Sequence, residues 1–173
     1  GIGYTPQPVI NRSVASLFSR IQAELVDSAI SLALLKDHGI AGITGGMKNY
    51  FGAIHNPNKY HDSNCDPYLA DLFEIDLIRK KHRLTILDAL RVQYHRGPSY
   101  HLQWNEKTNQ LIFGFDPVAV DAVGWKLIEN LRAKKGLPAL SEERREPTYL
   151  QTAENLGLGL AHFDNIEIIE EEV

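Results

Sequence analysis

Cysteine is nearly missing from this sequence: Cys65 is the single one in 173 residues. That excludes an internal disulfide, a self-contained cysteine zinc site and an iron–sulfur cluster built from this chain alone. Apolar runs are short as well, and none approaches the roughly 20 residues that a bilayer-spanning helix needs. Basic charge is not in surplus. The formal net charge is −4, and the densest cationic stretch, "IRKKHR" at 78–83, falls at an expected helix end, where cations complement the dipole. A nucleic-acid binder carries a concentrated basic face, so nucleic acid is set aside as a partner. Neither an internal repeat nor a low-complexity linker interrupts the chain. No Met and no signal-like apolar segment stand at Gly1, which reads as a processed chain or a fragment.

The remainder has ordinary globular composition, with 43% hydrophobic and 23% charged residues. A chain of this length can bury a genuine core, and 1–173 reads as a single α/β domain. Asn11 or Ser13 is a candidate cap for a helix over "VASLFSRIQ". "AISLALL" at 29–35, apolar but for Ser31, suits a strand covered on both faces, and its periodicity also allows a buried helix. Past the glycines, Met47, Tyr50, Phe51 and Ile54 fall at i, i+3, i+4 and i+7, a short helix with Thr44 as its cap. Asp66-Pro67 opens a helix running to about Lys81 that buries Leu69, Leu72 and Phe73. "LTILDAL" and "LIFGF" are further strands, separated by the turn-like "NEKTNQ". Asp116-Pro117 starts a long helix closed by Gly136, and "TYLQTAENLGLG" is a helix stopped at Gly157. "IEIIEEE" reads as a last edge strand. Strands alternating with helices predict a layered α/β fold, a largely parallel β-sheet flanked by helices.

In such sheets ligands gather beyond the carboxyl ends of the strands. Lys36 and His38 follow the first strand, Asp88 lies near the end of the second, and Asp116 follows the third. Lys48 and Asn49 ride on the helix entered from the glycine segment. Helix-start amides at Gly45 and Gly46 attract anions, and a lysine can neutralise a phosphate or carboxylate. The same glycines also suit a plain tight turn, since "GITGGMK" has neither P-loop nor dinucleotide spacing. Seven histidines offer imidazoles for a divalent metal, but none has a recognised ligand spacing. Asp116 is fully explained as a helix cap, and Asp121 as an acid in a first turn. The aromatic stretch 91–104 suits either a pocket wall or a loop packed on itself.

Several blocks together resemble a known family. "LLKDHGIAGITGGMKNYFG" looks like the hallmark of the DUF362 family, in which a strand ends in Lys and His before Thr-Gly, Met-Lys-Asn and Phe-Gly. "LTILDAL", "FDPVAVDAVGWKLIE" and "YLQTAENLGLG" resemble its later blocks, in order from about Asp27 to Ile169. Asp37 departs from the family, which often has Thr there. The resemblance singles out Lys36, His38, Lys48, Asn49, Asp88, Asp116 and Asp121, and supplies no reaction. It implies that this chain is the C-terminal part of a longer protein. Relatives often carry a twin-arginine export signal, which leaves both a cytoplasmic and an exported location open.

Two readings compete. In the first the protein binds, or acts as an enzyme on, a small anionic molecule. His38, Lys48 and Asp88 then do the chemistry, and Lys36, Thr44, Gly45, Gly46, Asn49 and Asp116 hold the ligand. In the second it is a noncatalytic module whose sheet edge pairs with a missing N-terminal portion or a second copy.

Overall fold

The computed structural model describes residues 3–172. The chain opens with a hairpin, β1 (Val9–Asn11) against β2 (Val14–Ser16), turned at Arg12 with φ 48°. The helix expected over 14–22 is therefore not there. Val14, Ser16 and Phe18 are all buried, so a two-residue period wins over the helical one. The expected caps do other work. Asn11 donates to the Asp71 carbonyl and to Glu74, and the Ser13 amide and hydroxyl donate to Asp71. A single wide turn, Ile21–Leu25, follows.

The main sheet comprises β3 (Ala29–His38), β4 (Gly42–Thr44), β5 (His82–Gln93) and β6 (Asn105–Gly114), in the order β4-β3-β5-β6. Only β3 and β5 run parallel; β4 and β6 each pair antiparallel to their neighbour. The sheet is mixed rather than largely parallel. "NEKTNQ", read as a turn, forms the first six of the ten residues of β6, and it brings the chain straight back along β5.

Helix α1 is a single turn, Gly46–Asn49, continued by a tighter turn through Ala53. The expected helix over 66–81 is split into α2 (Tyr68–Glu74) and α3 (Asp76–Arg79), because Ile75 takes an extended ψ of 129°. Asp66 caps nothing: its Oδ1 is buried without a partner. Helix α4 (Pro117–Lys134) starts as the sequence predicts. Asp116 accepts from the amides of Val118 and Ala119, at 2.9 and 3.0 Å, with Pro117 in the first turn. Helix α5 (Tyr149–Asn155) ends at Gly157 with φ +67°. Residues 166–172 form no strand; Ile168 and Ile169 face solvent.

Two cores result. One lies between α4 and one face of the sheet, joining Val120, Ile128 and Leu131 to Leu35, Leu87 and Val92. Gly124 lets the helix come close, since a Cβ there would meet Leu87 and Leu35 at 2.8 and 3.0 Å. The other core gathers Phe18, Met47, Phe51, Leu69, Phe73 and Tyr149 beneath α2, α3 and α5. Trp125 packs against both. Among the described residues no helix covers the opposite face of the sheet. Ile30, Leu32, Leu34, Leu111 and Phe113 lie there between 50% and 70% exposed.

Candidate functional site

Lys36 and His38 flank Asp37 at the end of β3, and the chain turns back through β4 to reach Lys48 on α1. The edge of β3 is paired by β4 only from Lys36 to His38. Beyond that, two side chains take over the ladder. Thr44 donates to the Leu34 carbonyl at 2.6 Å and accepts from the Lys36 amide at 3.0 Å. Asn49 donates to the Leu32 carbonyl and the Ser31 hydroxyl, at 3.3 and 3.2 Å. Exposed strand edges need such partners, so both residues have a complete local purpose.

The glycine pair is set by packing. A Cβ on Gly45 would sit 2.5 Å from the Asp121 carboxyl, and one on Gly46 would collide with Thr85. This closeness lets Asp121, reaching across from α4, accept from the amides of Gly46 at 2.6 Å and Met47 at 3.0 Å. Asp121, not Thr44, caps α1. Of the two amides read as an anion cradle, that of Gly46 is occupied by the protein's own carboxyl. That carboxyl is fully buried; burial pushes its pKa up to about 7, against the pull of the two amides.

The charged cluster lies beside this pair. His38 is buried, and its Nδ1 accepts from the amides of Ile40 and Ala41 at 3.2 and 3.1 Å. The neutral ring therefore carries its proton on Nε2. Burial, reinforced by Lys48, His61, Lys36 and Arg145, lowers its pKa to about 3. His61 stands with its ring centroid 5.6 Å from that of His38. Its Nδ1 faces the Pro57 carbonyl at 2.9 Å and so donates, leaving Nε2 to accept from Lys48 Nζ at 3.1 Å. Burial and the nearby Lys48 cation lower the pKa of His61, against the pull of the Pro57 carbonyl. The Lys48 ammonium lies 5.2 Å over the Phe51 ring. Burial depresses its pKa; Cys65 opposes this and Lys36 adds to it. Lys36 Nζ donates to the Pro98 carbonyl at 2.9 Å. Among the described residues neither lysine is in an ion pair.

Pro98 belongs to the loop after β5, which Gln93 holds by donating to the carbonyls of His95 and Ser99 and accepting from the His101 amide. Asp37 anchors the same loop. It accepts from the Gly97 amide at 2.7 Å and from Arg145 at 2.8 Å, and lies 3.7 Å from the fully buried Arg132. Glu143 completes this ion cluster at 2.8 Å from Arg132. Arg145 also donates to the His38 carbonyl at 3.1 Å. Asp37 thus braces the strand end that carries Lys36 and His38.

The structure brings Lys36, His38 and Lys48 together and engages two other predicted residues in local contacts. Asp88 sits mid-strand before a bulge in β5 and accepts from the Leu90 amide. Asp116 is used up as the α4 cap and as acceptor for the Leu160 amide at 2.9 Å. His61 joins the cluster from a polar connection with no motif of its own. Among the described residues no three His, Cys, Asp or Glu side chains gather as metal ligands, and no helix is long and apolar enough to cross a membrane.

No curated protein and no solved structure matches this chain. A family model does, over residues 7–126, which takes in the glycine segment, "LTILDAL" and the start of α4 and stops before α5. The chain belongs to the DUF362 family, a domain of unknown function.

Proposed function

We propose that the Lys36–His38–Lys48–His61 cluster binds a small anion carrying a phosphate or carboxylate, either as an enzyme site or as a binding site. The observation that carries this is Lys48, a partly buried ammonium whose hydrogen-bond partner is a neutral imidazole and not a carboxylate. Placing a cation out of water without a counter-charge is costly, and an incoming anion offsets that cost. Lys36 adds a second charge of the same sign beside it. His38 offers a ring N–H, and His61 a ring nitrogen able to receive a proton from Lys48, so the cluster holds both a donor and an acceptor for acid–base work. Lys48 and His38 bear the contact, Lys36 the long-range attraction. Thr44, Gly45, Gly46 and Asn49 shape the loop, and Asp88 and Asp116 stand outside.

Titration calorimetry with inorganic phosphate and with acetate tests this reading. Lys48→Met keeps the apolar stem over Phe51 and removes the charge. It weakens binding by at least ~10-fold, the loss of one charge-assisted hydrogen bond. Asp88→Asn leaves binding unchanged. Because burial lowers the pKa of Lys48, anion binding declines at a lower pH than an ordinary lysine would dictate. Equal affinity in wild type, Lys48→Met and His38→Asn sinks the proposal.

A further inference from the structure

From the bare face of the sheet we infer that this protein pairs with a second copy of itself, sheet against sheet. The strand register lines up the exposed side chains in rows. Ile30 stands beside Leu84; Leu32, Ile86 and Phe113 form the next row; Leu34, Asp88 and Leu111 form the third. Phe115, 84% exposed, extends the patch past the end of β6. Asp88 is the one charged residue within those rows, and its Oδ1 is engaged by the Leu90 amide. The centre of the patch is therefore apolar and continuous across three strands.

Area decides the kind of occupant. The exposed parts of Ile30, Leu32, Leu34, Leu111, Phe113 and Phe115 come to on the order of 800 Å², about the share that each partner contributes to a standard protein interface. Soluble monomers rarely leave a contiguous apolar patch that large in water. A two-fold pair requires only that the same patch serve both subunits, and an apolar sheet face meets that demand by stacking its central row on its own copy. The contact uses the face and not the edge at β4. β4 is three residues long, and the β3 edge beyond it is already taken by Thr44 and Asn49. Lys36 of the proposed anion site follows Leu34 at the rim of this face, whereas Lys48 and His61 come from α1 and the loop after it, so the two proposals are tested with different substitutions.

Sedimentation equilibrium over a concentration series reads the outcome. The wild type is expected to be a dimer. Leu32→Glu and Phe113→Glu should each weaken it by roughly 100-fold, the effect of spoiling a central apolar contact. Leu32→Thr, which suits a strand, should act in the same direction and guards against a variant that fails to fold. Ile10→Glu, on the exposed side of the hairpin far from the sheet rows in sequence, should leave the dimer intact. A wild type that stays monomeric at every concentration overturns the inference, even if the face then takes up an apolar dye or a different protein. So does a dimer that Ile10→Glu weakens as much as Leu32→Glu does.

Discussion

Leu32 and Leu35 lie on the same strand in the same apolar run, yet they meet opposite surroundings. Leu35 is fully buried under α4, where Gly124 lets the helix backbone approach it. Leu32 is 66% exposed on a face that carries no helix. "AISLALL" is apolar at both parities, so its composition calls for two covered faces, and the described residues supply one cover. Sheets buried on both sides read as continuous apolar runs, whereas half-solvated ones alternate with polar residues. The difference teaches that an apolar run alone does not say which face of its strand is covered.

The comparison breaks first on the covered side. Leu35→Ala removes a packed side chain between α4 and β5, and is expected to cost about 2–5 kcal/mol of unfolding free energy. Urea denaturation followed by circular dichroism measures it. A loss under about 1 kcal/mol would mean that α4 is not seated as described. Next in size comes the link between α4 and α1. Asp121→Asn turns one acceptor into a donor facing the buried Met47 amide, which leaves a polar group unpaired at about 1–3 kcal/mol. Hydrogen exchange should show the Met47 amide losing protection while the β3–β5 amides keep theirs.

How much of this was readable beforehand follows from the range of each interaction. The start of α4 was legible because Asp116, Pro117 and the two capped amides are neighbours in sequence. The stop of α5 at Gly157 was legible for the same reason. Lys36, His38 and Lys48 were marked by their place around a strand end and by family resemblance. His61 was not: it reaches the cluster through a polar connection whose course no periodicity describes. Nor was the cap on α1, since Thr44 sits where a local cap belongs while the acceptor comes from Asp121, far along the chain. The bracing of Asp37 by Arg132 and Arg145 likewise has no sequence signal; "RAKKG" and "EERRE" look like solvated termini. "NEKTNQ" misled because its polar residues resemble a turn, whereas an edge strand tolerates them. "IEIIEEE" misled in the opposite sense, having strand-like residues and no partner.

Protonation sharpens the same contrast, since the site histidines are held neutral by the fold. His38, at about 3 in the folded state, has an ordinary pKa of 6.5 once unfolded. Below 6.5 the unfolded chain binds a proton that the folded one refuses, so stability is full above that pH and is lost as pH falls from 6.5 towards 3. His61, His82 and His95 are lowered too, each chiefly by burial, and push the same way. Asp121 opposes them: raised from 3.8 to about 7, it favours the folded state at low pH and loses that advantage as pH rises through this window. The Glu74 carboxyl, held below its ordinary range by its hydrogen bond to Arg12, acts with the imidazoles, and stability falls in acid. His38→Asn, which retains an acceptor near Nδ1, should flatten the pH dependence below 6.5 by up to about 1.4 kcal/mol per pH unit, one proton's worth. Denaturation midpoints at a series of pH values decide; an unchanged slope means His38 is not buried neutral.

The smallest effect is the most telling about the bare face. In dilute solution, where a pair has come apart, Leu32→Ala removes a side chain that is mostly in water and should change unfolding free energy by less than about 0.5 kcal/mol. At high concentration the same substitution should lower the midpoint measurably, because association stabilises only the folded chain and makes its stability depend on concentration. Leu35→Ala shows no such dependence on top of its large intrinsic loss. If Leu32→Ala costs as much as Leu35→Ala even at the lowest concentration, a segment of the same chain covers that face, and the two sides of the sheet are alike after all.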